Sequence, residues 1–547
     1  MVTLQKTVGQ VVKEQAALNP KTEAYVYPEH GIRKTYKEFD EETDRLAKAF
    51  IGIGIEKGEH VAIWSDNKRE WLLSQFATGK MGGILVTVNT SYQSSELEYL
   101  LEQSDATTLI LGEEFKGTSY IEIVNTVCPE LATAEKGKIV SKKLPHFKRV
   151  IVMSNSSYPG IYTWNEFEAF AEKVSDADYQ ERFHSMDPDD VINIQYTSGT
   201  TGFPKGVMLT HLNVVNNGKL IGDTMNLTET DRLCIPVPFF HCFGCVLGTM
   251  AAVTHSTTMV IAEQFEPKRV LQMVQDEKCT GLHGVPTMFI AELNHPDFAS
   301  FDTSTLRTGI MAGSPCPIEV MKKVIHDMGA SEITIAYGQT ESSPVITQTR
   351  ADDDIEKRVS TVGKPHTGVE VKIIDPLTGE QVATGVPGEL CTRGYHVMKG
   401  YYKNVEATKA AIDPEGWLHT GDIAVEDEDG YIAITGRIKD MVIRGGENIY
   451  PREIEEFLYQ HPSVQDVQVV GVPDPKYGEE LMAWVILKEG EKLDAEELKA
   501  YCTGKISRHK IPRYIEFTKE YPMTASGKIQ KFKLRELSVE QSRKAEV

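Results

Sequence analysis

Runs of four to six apolar residues recur along most of the chain. Between them lie longer stretches in which apolar positions return every three or four residues. The short runs at His60–Trp64, Ile84–Val88, Thr108–Leu111 and Arg149–Met153 predict buried strands. The longer patterns at Tyr36–Ile51 and Ser95–Gln103 predict amphipathic helices. Such alternation implies α/β layers around largely parallel sheets. Residues 233–262 contain no Asp, Glu, Lys or Arg. Pro236, Pro238, Gly244, Gly248, His241 and His255 interrupt that run, so it predicts a buried helix followed by a buried strand and not a membrane span.

The pattern changes near Gly436. Glu415–Gly436 is turn-rich and reads as strands joined tightly. Beyond it, Val442–Ile443, Glu453–Gln460, Val467–Val472, Met482–Leu487 and Glu496–Ser507 alternate strand and helix again. That tail, about 110 residues, is long enough for an independent small domain. The expected fold is therefore α/β: a large N-terminal domain of layered α/β subdomains over 1–436, and a small C-terminal α+β domain over 441–547. The boundary falls at Arg437–Asp440.

Composition narrows the classes. The chain has 547 residues and a net charge of −21, which argues against a nucleic-acid binder. The stretch from Lys510 onward is locally basic, suited to a solvated helix face or to a phosphate-bearing substrate. Eight scattered cysteines do not form a secreted disulfide framework, and Cys242 and Cys245 read as two packed thiols. The N-terminus lacks the apolar core of a signal peptide, so the cytoplasm is the expected location. Gly52-Ile-Gly54 follows a helix and precedes a strand, the wrong order for a dinucleotide loop, and reads as a helix stop. The acidic run at 351–356 reads as a solvated loop.

The strongest chemical signal is Tyr196-Thr-Ser-Gly-Thr-Thr-Gly-Phe-Pro-Lys-Gly206, leaving a predicted strand at Val191–Tyr196. Small residues let backbone N–H groups approach an anion, hydroxyls add donors and Lys205 adds charge. It is not a Walker loop: Lys205 follows Pro204, and Gly206 stands where a magnesium-binding Ser or Thr would be.

That string resembles the phosphate loop of adenylate-forming enzymes, the family of acyl- and aryl-CoA synthetases, firefly-type luciferases and peptide-synthetase adenylation domains. Further strings similar to that family follow in order: Ala312-Gly-Ser-Pro315, Tyr337-Gly-Gln-Thr-Glu341, Trp417-Leu-His-Thr-Gly-Asp422, Gly436-Arg-Ile-Lys-Asp440 with Gly445-Gly446, and Thr524-Ala-Ser-Gly-Lys528. The resemblance covers essentially the whole chain. It implies an ATP-dependent acid–CoA ligase with ATP, Mg2+ and coenzyme A as co-reactants, no nucleic-acid partner and no membrane span. It leaves a homodimer open.

The resemblance also implies roles. Thr197, Ser198, Gly199, Thr200, Thr201, Gly202 and Lys205 would cradle phosphates. Tyr337 and Gly338 would meet adenine, with Ser314 and Pro315 on its other side. Glu341 would hold Mg2+ with Thr340 in support, Asp422 would accept from the ribose hydroxyls, and Arg437 would reach ribose or phosphate. Lys528 would sit between carboxylate and α-phosphate, where a cation offsets the repulsion of two anions. Lys439 would be the hinge for a rotation that exchanges Lys528 for a pantetheine path along Gly445 and Gly446.

The end use is narrowed by Phe239-Phe-His-Cys-Phe-Gly244, which lacks the Asp that amino-acid-activating relatives place there. An aryl-acid–CoA ligase and a ligase loading an acyl-carrier protein remain the alternatives; luciferase-like oxygenation and a non-catalytic nucleotide scaffold have less support. Relatives restricted to acetate carry Trp at the place of Gly338. A Gly there is expected to open an acyl pocket lined by Phe240, His241, Phe243, Val285, Met288 and Val345, and a Gly338→Trp change to shift the preference to acetate and propionate. Each buried methylene adds about 0.8 kcal/mol, and a C6–C12 acid is the expected substrate.

Overall fold

The computed structural model describes residues 3–197, 204–444, 447–524 and 527–545. Two large sheets dominate. One has nine strands, and its inner six (Glu23–Tyr27, Thr258–Ile261, Arg232–Ile235, Gly281–Gly284, Thr308–Ala312 and Thr334–Gly338) are mutually parallel. The other has seven, with a parallel core formed by Arg149–Val152, Thr108–Leu111, His60–Trp64, Ile84–Thr87 and Val191–Thr197. Helices cover both faces of these sheets, which is why His60–Trp64 is buried at every position and shows no alternation. The helix Tyr36–Gly52 starts in a capping box, where Glu38 N–H donates to the Thr35 hydroxyl and Thr35 N–H donates to the Glu38 carboxylate. Its Phe39, Thr43, Leu46, Ala47 and Phe50 form the buried stripe.

The segment 233–262 departs from expectation. It begins inside a strand, Arg232–Ile235, and only then forms a π-helical turn at Phe243–Gly248, a helix at Thr249–Thr254 and the strand Thr258–Ile261. An unbroken apolar run gives the same pattern for a buried strand as for a buried helix. Cys242 and Cys245 are buried free thiols.

A third sheet of four antiparallel strands (Val369–Ile374, Gly388–Gly394, Leu418–Glu426, Ile432–Arg437) carries the turn-rich region. Val442–Arg444, Glu447–Ile449, Val464–Asp474, Gly478–Leu487 and Tyr514–Phe517 form a separate five-stranded sheet. That C-terminal lobe has its own core, which includes Ile454, Leu458, Val467, Leu481, Val485 and Leu498. Among the described residues no helix is long and apolar enough to cross a membrane.

Candidate active site

In an open parallel sheet, ligands bind beyond the carboxyl ends of the strands, where the connecting loops gather. The nine-stranded sheet assembles its site there. Phe239–Phe243 follows the strand Arg232–Ile235, Val285 follows Gly281–Gly284, and Gly313–Pro315 follows Thr308–Ala312. Tyr337–Glu341 closes Thr334–Gly338. Ser314 and Pro315 thus stand at the end of the strand next to the one bearing Tyr337.

Asp422 reaches this edge from the antiparallel sheet. Its strand bulges between His419 and Ile423, where Gly421 takes φ of 70°, a conformation that favours glycine. Thr420 Oγ1 donates to Leu390 O at 2.6 Å and accepts from Asp422 N–H at 3.1 Å, which pins the bulge. The Asp422 carboxylate is buried. One oxygen accepts from Tyr337 OH at 2.7 Å, and the other accepts from Arg437 Nε at 2.9 Å across the strand pair. Burial, followed by the Asp422 charge, holds the Tyr337 phenol well above the usual tyrosine range.

Lys205 opens the strand Lys205–Thr210, which pairs antiparallel with Val191–Thr197, Lys205 opposite Thr197. Its ammonium lies 4.4 Å from the centre of the Tyr401 ring. Tyr401 OH donates to Glu341 Oε1 at 2.7 Å. Tyr401, with no signal in the sequence pattern, therefore bridges Lys205 and Glu341. A partly buried Glu341 with one oxygen held by the Tyr401 hydroxyl has the hard-oxygen chemistry that Mg2+ takes. Thr340 is buried, its hydroxyl 3.8 Å from Cys242 Sγ.

Lys528 arrives from the C-terminal lobe. Gly527, with φ of 80°, passes so close to the large lobe that a Cβ there would stand 3.1 Å from Val285 Cγ2, and its carbonyl accepts from Thr287 Oγ1 at 3.0 Å. The Lys528 stem lies against Gly313, and its amine is 3.2 Å from His241 Nε2. Thr524 Oγ1 accepts from Lys528 N–H at 2.9 Å. Burial, with the Arg437 charge adding to it, lowers the Lys528 pKa from the usual lysine range. Burial and then the Lys528 charge push His241 well below the ordinary histidine value. Phe243 N–H donates to His241 Nδ1 at 3.1 Å, so the neutral ring carries its proton on Nε2. The Nε2–Nζ contact is then a hydrogen bond only when the amine has given up a proton.

The structure thus brings together Lys205, Thr340, Glu341, Tyr337, Asp422, Arg437 and Lys528, with Phe240, Phe243, Val285 and Val345 buried and His241 partly buried nearby. Ser198, Gly199, Thr200, Thr201, Gly202, Gly445 and Gly446 lie outside the described residues. Tyr401, Thr287 and Thr524 are additions to the expected set.

Gly338 is a correction. A Cβ at this position would stand 1.7 Å from the Pro344 carbonyl oxygen and 3.1 Å from Ile346 N, so no side chain there enters an acyl pocket. The glycine serves a close approach where the pairing with Val345–Gln348 shifts register. Gly338→Trp therefore tests this close approach before it tests chain length, because an indole here requires the Pro344–Ile346 backbone to shift first.

Residues 12–402 match the family model described as AMP-binding enzyme, and residues 453–528 match the AMP-binding enzyme C-terminal domain. A Bacillus subtilis (strain 168) protein named acyl-CoA synthetase YngI is 61% identical over 539 residues, 98% of each chain. The Bos taurus medium-chain acyl-CoA ligase ACSF2, mitochondrial, is 44% identical over 541 residues, covering 97% of this chain and 87% of that one. Among solved structures, the anthranilate CoA ligase AuaEII in complex with anthranoyl-AMP superposes with a TM-score of 0.87 at 27% identity, over 99% of both chains. ATP-bound MatB from Rhodopseudomonas palustris gives 0.84 at 26%, over 98% of this chain and 99% of that one. The chain belongs to the AMP-binding enzyme family, among its AMP-forming acyl-CoA synthetases.

Proposed function

We propose that the protein converts a medium-chain fatty acid, C6–C12, to its CoA thioester in two steps at one site. In the first, a carboxylate oxygen attacks the α-phosphorus of ATP and pyrophosphate leaves. In the second, the CoA thiol attacks the acyl carbon, AMP leaves with the bonding electron pair, and the thiol proton passes to solvent. The observation that carries the reading is Lys528, held beside His241 and against Gly313, where the charges of Arg437 and Glu341 act on its amine. Lys528 supplies charge where carboxylate meets phosphate, and Asp422 receives the ribose. Glu341 with Thr340 would hold Mg2+, which would supply positive charge against the phosphates of ATP. Ser314, Pro315 and Tyr337 flank adenine.

The residues 1–436 form the adenylating part, 437–440 the hinge about Lys439, and 441–547 the moving part. After adenylation the C-terminal lobe turns to bring Gly445-Gly446 to the pantetheine. The acid preference draws support from the uncharged Phe240, Phe243, Val285 and Val345 near Lys528 and from the names of the ACSF2 relatives. The fold neighbour bound to anthranoyl-AMP favours a second reading, an aryl acid.

Pyrophosphate release and thioester formation, measured with acetate through palmitate and with benzoate and anthranilate, separate the readings. The expected maximum in kcat/KM lies at C6–C12. A maximum at acetate or at an aryl acid sinks the medium-chain assignment, and adenylation without any CoA product sinks the ligase.

A further inference from the structure

The antiparallel sheet holds a second cluster of reactive side chains. Cys391 lies directly opposite His419, and Glu389 sits two residues before Cys391, so all three project from one face of the paired strands. His419 Nδ1 is 3.0 Å from Glu389 Oε2 and 3.5 Å from Cys391 Sγ, and the three donor atoms lie within 4.8 Å of one another. Ligand atoms around a tetrahedral zinc ion stand about 3.3–3.6 Å apart, given metal–ligand bonds of roughly 2.0–2.3 Å. Closing on an ion therefore needs only small side-chain rotations.

The surroundings suit one. Glu389 Oε1 accepts from Gly421 N–H at 3.1 Å, which fixes the carboxylate. Before an ion enters, His419 Nδ1–H donates to Glu389 Oε2; on binding, the imidazole proton moves to Nε2, which faces Asp413 Oδ2 at 3.8 Å, and Nδ1 is left for the metal. Asp413 is itself anchored, its Oδ1 accepting from the N–H groups of Glu415 and Trp417 at 2.9 Å. Glu389 and Cys391 are buried while His419 is about one-third exposed, so an ion has a way in and water completes the fourth position.

We propose that Glu389, Cys391 and His419 form a binding site for a borderline divalent transition-metal ion, zinc being the best match to a thiolate–imidazole–carboxylate set. On binding, the Cys391 thiol releases its proton to solvent and a sulfur–metal bond forms. The ion ties the two strands together three residues before Asp422, and so stiffens the bulge that aims the nucleotide-binding carboxylate. This site is separate from Glu341 and from the magnesium that accompanies ATP.

Cobalt(II) is the direct probe, because a thiolate ligand gives a near-ultraviolet charge-transfer band. The full chain, stripped with a chelator and free of ATP, should bind one equivalent with that band. Stoichiometric zinc should displace the cobalt and raise Tm by a few degrees. Cys391→Ser should lose the band, and Glu389→Gln and His419→Asn should weaken cobalt binding at least roughly 10–100-fold. His30→Asn, in the exposed Glu29–His30–Glu263 group, should change nothing. No band in the wild type, a band that survives in folded Cys391→Ser, or equal zinc stabilisation of all variants would overturn the proposal. If Cys391→Ser does not fold, unaltered cobalt affinity in Glu389→Gln does the same.

Discussion

Lys528 is placed where a positive charge is poorly accommodated, and on the proposed mechanism it stays so until the substrates arrive. Its neighbours are a neutral imidazole and an arginine, and burial works against the ammonium form. Two anions entering the site reverse that balance, which is what differential stabilisation of a reacting complex requires. Lys528→Ala should lower acyl-adenylate formation by roughly 10²–10⁴-fold while supplied acyl-adenylate still reacts with CoA; equal loss in both half-reactions removes Lys528 from the first step. The pH dependence has a definite sign. The free-enzyme amine has a lowered pKa and adenylation needs it charged, so kcat/KM for pyrophosphate release should fall on the alkaline side before an ordinary lysine would titrate. Lys528→Arg, slower throughout, should lack that fall, because guanidinium stays charged; an unmoved alkaline limb in Arg would assign it to another group. Lys205, Glu341, Asp422, Arg437 and Lys528 were legible because each stands in a short string whose order is informative. Tyr401 and Thr287 were not, since their role comes from contacts with residues far away in sequence. Gly338 was misread because sequence does not say which way a missing Cβ would point.

At the scale of elements, strands confined by sheet packing were easiest to read. His60–Trp64 and Thr108–Leu111 fall where the apolar runs end, and Tyr36–Gly52 extends the helical pattern by one residue. The strand Arg232–Ile235 was hidden because it merges into an uncharged stretch with no period of its own. The bulge at Gly421 was equally invisible, yet it determines where Asp422 points. A Cβ at Gly421 meets nothing within 4 Å, so substitution there tests backbone conformation alone. Gly421→Ala should cost about 1–2 kcal/mol in the left-handed conformation and raise the KM for ATP several-fold with little change in acid specificity. Gly421→Asn should be milder, since Asn tolerates that region better. Equal ATP kinetics in wild type and Gly421→Ala would mean that the bulge does not aim the carboxylate.

For the whole molecule, the decisive arrangement is how the C-terminal lobe docks on the large one, through contacts that include Gly527 with Thr287, Lys528 with His241, and Arg452 donating to Ile434 O at 2.8 Å. Lys439 is exposed within the short turn Ile438–Asp440 between them. Proline fixes φ near −65° and resists a large rotation. Lys439→Pro should therefore still release pyrophosphate but make acyl-CoA at a small fraction of the wild-type rate; normal thioester turnover in this variant places the pivot elsewhere. The change of pattern near Gly436 made the two-part layout readable, whereas the docked pose depends on contacts between distant segments.

Arg437, two residues before Lys439, is tied by its side chain to Asp422 on the neighbouring strand. In mechanical terms, one leaf of the hinge is screwed to the frame. Torsion from the proposed swing would then be confined to the few bonds beyond the anchored arginine. On the proposed rotation about Lys439, a lobe hung in this way would retrace the same arc on every turnover, delivering a lysine at one end of the swing and clearing the doorway at the other. Cutting the fastening, as in Arg437→Ala, would leave both stations reachable but visited less faithfully, so that adenylate made in one pose would escape more often before the thiol arrives.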